Sequence, residues 1–214
     1  MGCVIVPAIQ RKGGIFMAAI LQSLERTILA GLVLLIVIIV AVGALTGQFV
    51  KIDHAWGTFV MRWLHVMSGV MWIGLLWYFN FVQIPTVPKI EPVEHRAAIS
   101  KYIAPNALFW FRYAALATVV TGLLVAWMSR YIVQALTVRP GYVAIGIGMW
   151  LALIMAANVW FLIWPNQQKA LGLVPATPEE KAAAGRLAML VSRTNTLLSI
   201  PMLYCMVAQQ NAGL

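Results

Sequence analysis

The chain has 214 residues, of which 62% are hydrophobic and only 10% are charged, and its mean hydropathy is +0.87. Soluble domains carry about 25% charged residues, so this composition excludes a soluble globule and indicates an integral membrane protein. The net charge of +9 does not indicate nucleic acid as a partner. The basic residues lie mostly between apolar segments, where lipid head groups and membrane topology account for them.

The N-terminal 27 residues are mixed in polarity, and their apolar patch at 15–21 is too short to span a membrane. We predict a cytoplasmic or interfacial segment over 1–27, with Met17 as an alternative start to Met1. The first span is predicted at 28–47, where no ionisable residue occurs. About 20 apolar residues cross a bilayer as a helix, and apolar side chains on every face predict contact with lipid.

The second span is predicted at 60–83 and the third at 105–127. Pro85 is expected to end the second helix, because proline cannot continue the hydrogen-bond ladder of an α-helix. Pro105 is expected to open the third, because proline is tolerated in the first turn.

The fourth span is predicted at 142–164 and is expected to end at Pro165. Small residues recur in it at every fourth position: Ala144, Gly148, Ala152 and Ala156. Such a stripe lets a second helix approach closely, and that helix belongs either to the same subunit or to a partner.

The fifth helix is predicted to begin at Pro178, because Thr177 and Glu180 have the spacing of a capping box. It is expected to kink at Pro201 and to leave the membrane near Ala208. The fold class is therefore all-α, a polytopic membrane bundle of about five transmembrane helices. The transmembrane domain is predicted at 28–208, followed by a short periplasmic tail at 209–214.

The orientation follows from the distribution of lysine and arginine. Nine of them lie in the N-terminal segment and the second and fourth loops, against three in the first and third loops. Because basic residues accumulate on the cytoplasmic side, the N-terminus is predicted to be inside.

Ionisable and polar residues within the spans are costly in lipid, so each is a candidate for function. In the predicted topology Arg62 and His65 fall in the outer leaflet. The cytoplasmic leaflet contains the others, namely Asn80, Arg112, Asn158, Arg193 and Asn195. One interpretation is a polar pocket for an anionic group, such as a haem propionate, a quinone head or a lipid. The more ordinary interpretation is that the arginines snorkel to lipid phosphates and the asparagines cross-link helices.

His65 is a candidate axial ligand of a b-type haem. Transmembrane haems usually take two histidines, but the other two here, His54 and His95, do not lie on a helix that faces His65. A haem would therefore need a methionine or a ligand from another subunit. The alternative, which the histidine count favours, is a hydrogen-bonded structural or proton-handling histidine.

Three blocks in order carry a family resemblance that covers roughly residues 56–208. The first is Arg62-Trp63-Leu64-His65-Val66 with Gly69, Trp72-Ile73-Gly74 and Tyr78-Phe79-Asn80. The second is Trp110-Phe111-Arg112-Tyr113 with Thr121-Gly122, and the third is Ser192-Arg193-Thr194-Asn195-Thr196-Leu197-Leu198-Ser199-Ile200-Pro201. They resemble the membrane domain of bacterial cytochrome-c-linked urate hydroxylase, the urate oxidase N-terminal family.

The resemblance implies a multi-pass protein of the bacterial inner membrane, with a cytochrome c as electron acceptor. The chain is similar to a short form without the cytochrome c domain, since it has no C-x-x-C-H sequence and keeps only His65 among the family's candidate ligands. We therefore predict a membrane subunit of a larger redox or energy-converting complex, which anchors or stabilises partner subunits and helps to bind haem, quinone or lipid. The alternative is a urate-hydroxylase-like oxidoreductase that passes electrons to a separate cytochrome c.

Overall fold

The structure is a computed structural model that describes residues 17–211 and Gly213, and all regular elements in this part of the chain are helices. The predicted all-α membrane bundle is confirmed. The chain divides into two compact units, residues 1–56 and 57–214. Most of the predicted interfacial segment, residues 1–16, lies outside the described residues.

The first unit contains helix α1, Leu24–Thr46, which corresponds to the first predicted span. The helix ends at Gly47, whose φ of 70° is the left-handed conformation that glycine adopts without a steric cost. Phe49 then packs on Gly43, where an added Cβ would lie 2.7 Å from the phenyl ring.

The second unit is built from the helices that follow. They are α2 (His54–Lys89), of which residues 57–89 belong to this unit, α3 (Val93–Met128), the short α4 (Ile132–Leu136), α5 (Val143–Ala170) and α6 (Pro178–Ala208). Among the described helices, α1, α2, α3 and α5 are long and apolar enough to cross a membrane.

Helix α6 differs from the predicted count of five spans. It has 31 residues, which is long enough to cross, but its polar residues keep it out of the apolar set. Three of them, Ser192, Asn195 and Ser199, are buried inside the bundle. Hydropathy counts side chains without regard to the direction in which they point, so a membrane crossing by α6 stays a prediction.

The sequence prediction was wrong at Pro85 and Pro165, which do not end their helices. Pro105 lies in the first turn of the α-helical segment Ala104–Met128, as predicted, although α3 as a whole begins earlier, at Val93. Pro85, Pro105 and Pro165 lie inside α2, α3 and α5. Each follows a π-helical turn by two residues, and these turns are Tyr78–Gln83, Ile99–Ile103 and Asn158–Ile163.

The π-helical turns explain how the helices continue. The residue before each proline donates its N–H to the carbonyl five residues earlier: Ile84 to Phe79, Ala104 to Ile99, and Trp164 to Val159. A proline has no N–H, and its ring would clash with the carbonyl four residues earlier. One extra residue in the turn relieves this conflict without ending the helix.

The core of the second unit lies where α2, α3, α5 and α6 meet. Its largest fully buried apolar side chains are Trp72 and Leu76 of α2, Phe111 of α3, and Met155 and Val159 of α5. Met202 of α6 packs into the same cluster. The core therefore fixes the distances between the helices that carry the candidate site.

Gly148, in the middle of the small-residue stripe of α5, faces α6. A Cβ added at Gly148 would lie 3.2 Å from Cβ of Cys205 and 3.5 Å from the carbonyl oxygen of Met202. Ala144 and Ala156 are buried on the same helix, and Ala152 is half-buried. Gly148 thus lets the two helices of this chain approach closely.

The predicted capping box at the start of α6 is confirmed. The backbone N–H of Glu180 donates to Oγ1 of Thr177 at 3.2 Å, and the backbone N–H of Thr177 donates to Oε2 of Glu180 at 2.8 Å. Both bonds satisfy N–H groups that have no partner within the helix.

Candidate functional site

A cavity of about 660 Å³ lies in the second unit, and we call it the His65 cavity. Its lining is mostly apolar and comes from α2, α3, α5, α6 and the connection before α4. The residues that matter for the argument are Arg62, His65, Gly122, Tyr131, Met149, Met202 and Met206.

The imidazole of His65 is held by the backbone of α3. Its Nδ1 lies 2.9 Å from the carbonyl oxygen of Thr118 and 3.4 Å from Oγ1 of Thr121. A carbonyl oxygen only accepts, so Nδ1 donates, and Nε2 of the neutral ring is left as an acceptor or ligand atom. Histidines that bind metals are oriented by the same kind of second contact.

Gly122 makes this approach possible. A Cβ at this position would lie 2.7 Å from Cε1 and 3.0 Å from Nδ1 of His65. These distances are shorter than van der Waals contact, so the ring occupies the space that any other side chain would take. Gly122 belongs to the second block of the family resemblance, but the sequence alone did not predict its contact with His65.

Methionines supply a second type of ligand at the same cavity. Met149, Met202 and Met206 line it together with His65, and the first two are buried. From the sequence, the second haem ligand was expected to be either a methionine or a residue of another subunit, and no particular methionine was predicted. The structure brings these three to the cavity that His65 lines, so one chain supplies both an imidazole and thioether groups to this cavity.

Arg62 lies exposed at the rim of the His65 cavity, and Tyr131 lines the cavity nearby. Burial raises the pKa of the Tyr131 phenol, and the positive charge of Arg62 lowers it in part. The rim therefore offers a cation to an anionic group, while the interior is mostly apolar.

Arg112 packs on aromatic rings. Its guanidinium carbon lies 3.2 Å from the ring centroid of Trp164 and about twice as far, 5.9 Å, from that of Trp160. Its Nε is buried without a hydrogen-bond partner. Arg193 is exposed on α6. An anionic group at Arg112 or Arg193 stays a prediction.

Asn195 links α6 to α5. The side chain is fully buried, and its Nδ2 donates to the carbonyl oxygen of Met155 at 2.9 Å. Its Oδ1 accepts from Nδ2 of Asn158 at 2.8 Å. These hydrogen bonds agree with the interpretation that the asparagines cross-link helices.

Two further hydrogen bonds link α6 to α2. Nδ2 of Asn80 donates to Oγ of Ser192 at 2.8 Å, and Nε1 of Trp77 donates to Oγ of Ser199 at 3.1 Å. The polar face of α6 is therefore paired with side chains from both neighbouring helices.

Together these features define a helical membrane protein with a cross-linked polar interior and a histidine-lined cavity. Residues 112–212 match the family model described as urate oxidase N-terminal, and this match supports membership of that family. The match covers the third block and most of the second, whereas the first block, with His65, lies outside it. No curated protein and no solved structure matches the chain.

Replacement of Asn195 by alanine is expected to destabilise the bundle, because it removes two buried hydrogen bonds and leaves Nδ2 of Asn158 without its acceptor. The expected loss is about 1–3 kcal/mol for the unpaired group. Thermal unfolding in detergent measures it. Thr194→Ala is the matched control, since Thr194 is exposed and bonds only to its own helix. Equal melting temperatures for the two variants would contradict the cross-link.

Gly122→Ala is expected to displace the imidazole of His65, because the new Cβ would overlap it. Gly69→Ala is the control, since its Cβ would meet Thr118 at 3.9 Å, an ordinary contact. The measurement is the rate at which diethyl pyrocarbonate modifies His65, followed by mass spectrometry. We expect faster modification in Gly122→Ala alone, and an unchanged rate would show that the ring is not held there.

Proposed function

We propose that the chain is an integral membrane subunit of a larger redox complex in the bacterial inner membrane, and that its second unit helps to bind a b-type haem at the His65 cavity. The observation that carries the proposal is the geometry of His65. Its Nδ1 is bonded to the Thr118 carbonyl, and its ring lies at a cavity that methionines also line.

The residues of the cavity fit such a group. Nε2 of His65 would hold the iron of such a haem, and Met149, Met202 or Met206 would supply a thioether sulfur as a further ligand. Arg62 at the rim is placed to pair with a propionate, as guanidinium groups do with carboxylates. A bound haem would supply one-electron chemistry, and the apolar lining would limit access of water to it.

The surface of the second unit suits a subunit that sits in lipid beside other subunits. Large apolar side chains on α2, α5 and α6 are exposed, for example Val70, Phe161 and Leu197. Such side chains contact lipid tails or the apolar helices of partners equally well. The location of the N-terminus inside, predicted from the basic residues, belongs to this proposal.

A pyridine haemochrome spectrum of the purified chain tests the haem. We expect a b-type spectrum that His65→Ala abolishes and His95→Ala retains, because His95 lies outside the cavity. Added imidazole is expected to restore haem binding to the His65→Ala variant, which a purely structural role would not allow. Absence of haem from the wild-type chain, both alone and with co-purified partners, would contradict the proposal.

The second candidate is a urate-hydroxylase-like oxidoreductase that passes electrons to a separate cytochrome c. The family match over residues 112–212 favours it. Membranes that contain the chain are assayed for urate-dependent reduction of added cytochrome c, with the His65→Ala variant as control. We expect no activity from the chain alone. Activity that depends on His65 would make this candidate the preferred function.

A further inference from the structure

A second cavity, of about 300 Å³, lies in the second unit, and we call it the Gln83 cavity. It shares no lining residue with the His65 cavity. Its polar lining residues are Gln83, Ser100, Gln167 and Ser192, and the aromatic rings of Phe79 and Phe111 form part of its apolar wall.

All three π-helical turns contribute to the lining of the Gln83 cavity. Phe79 and Gln83 come from the turn in α2, Ser100 from the turn in α3, and Ile163 from the turn in α5. Turns of this kind are rare and occur frequently at functional sites. Their convergence on one space sets this cavity apart from a random packing gap.

The Gln83 cavity is electrically neutral, because none of its lining residues carries a charged side chain. Arg112 and Arg193, which the sequence suggested for an anionic group, are not part of it. A charged ligand would find no counter-charge in its wall, and an unpaired charge is costly in such surroundings. The ligand is therefore expected to be neutral.

The polar groups of this cavity have unused hydrogen-bonding capacity. Oε1 of Gln83 is buried and has no hydrogen-bond partner. Oγ of Ser192 accepts from Asn80, and no hydrogen bond donated by it is present among the described residues. Rotation about the last side-chain bond of Gln83, which is a soft torsion, would turn its amide towards a ligand. Gln83 then offers a ligand its Oε1 as an acceptor, and Ser192 offers its hydroxyl as a donor.

We propose that the Gln83 cavity binds the head group of a neutral quinone. A quinone carbonyl accepts from the Ser192 hydroxyl, and the hydroxyl of the reduced form donates to Oε1 of Gln83. Phe79 and Phe111, whose centroids are 5.7 Å apart in an edge-to-face pair, supply an aromatic wall for the ring. The volume is at the lower end of ligand pockets, which suits a single ring or a fused pair.

The surroundings of the cavity also suit a lipid-soluble ligand. Three of the four helices that line it, α2, α3 and α5, are apolar enough to lie in a bilayer. A quinone partitions into the same bilayer, where its apolar tail remains while the head group enters the cavity. The proposal concerns binding, and it does not depend on haem in the His65 cavity.

The test is a calorimetric titration of a short-tailed ubiquinone and a short-tailed menaquinone into the purified full chain, held in nanodiscs of quinone-free lipid. We expect one of them to bind, and Gln83→Leu to weaken binding about tenfold, which corresponds to one lost hydrogen bond. Gln134→Leu is the matched control, because Gln134 is also half-buried and lines neither cavity.

A second variant narrows the cavity without removing a polar group. Gly185 lines it, and a Cβ there would make only ordinary contact with Ala170 at 3.6 Å. Gly185→Leu is therefore expected to fold, as its melting temperature would show, and to lose quinone binding. A wild-type chain that binds neither quinone, or two variants that bind as tightly as Gln134→Leu, would overturn the proposal.

Two further measurements separate this proposal from its alternatives. Urate, an anion, is added as a competitor, and displacement of the quinone by urate would overturn the assignment to a neutral ligand. The His65→Ala variant is expected to bind quinone as the wild type does even when it lacks haem. Failure of the haem proposal and failure of the quinone proposal are thus observed independently.

Discussion

The bundle of the second unit depends on one constraint, which is that buried polar groups must be paired inside an apolar molecule. Helix α6 carries a polar face into the interior, and Asn195, Ser192 and Ser199 find their partners on α5 and α2. An unpaired amide in such surroundings costs about 1–3 kcal/mol in free energy. The hydrogen bonds therefore select one arrangement of the helices, and the two cavities are spaces within that arrangement.

A related constraint acts on the backbone at the three prolines that follow the π-helical turns. Each proline removes an N–H donor from a helix that has to remain continuous, and the π-helical turn before it shifts the hydrogen bond by one residue. The shift widens the helix locally, and Gln83, Ser100 and Ile163 lie in these widened turns at one cavity. The missing N–H of proline and the π-helical turns that accommodate it thus help to shape the Gln83 cavity, which has no charged lining residue.

The sequence predicted the helices well where a local pattern determines them. The apolar run of α1 and the capping box at Thr177 depend only on residues close in the chain, and both are present. The helix ends predicted at Pro85 and Pro165 failed because the rule describes an α-helix, whereas a π-helical turn accommodates each proline inside a longer helix. The contact of His65 with Gly122, at a cavity that Met202 also lines, could not be predicted either. It joins residues more than fifty positions apart, and only the packing of four helices brings them together.

The polar face of α6 also bears on how such a protein is made. A helix of this kind enters lipid at a disadvantage when it is alone, since its asparagine and serine side chains then have no partners. Its partners, Asn80 on α2 and Asn158 on α5, precede it in the chain and are synthesised first. The order of the sequence therefore delivers α6 to neighbours that already carry complementary groups, so its polar face meets its partners as soon as the helix packs.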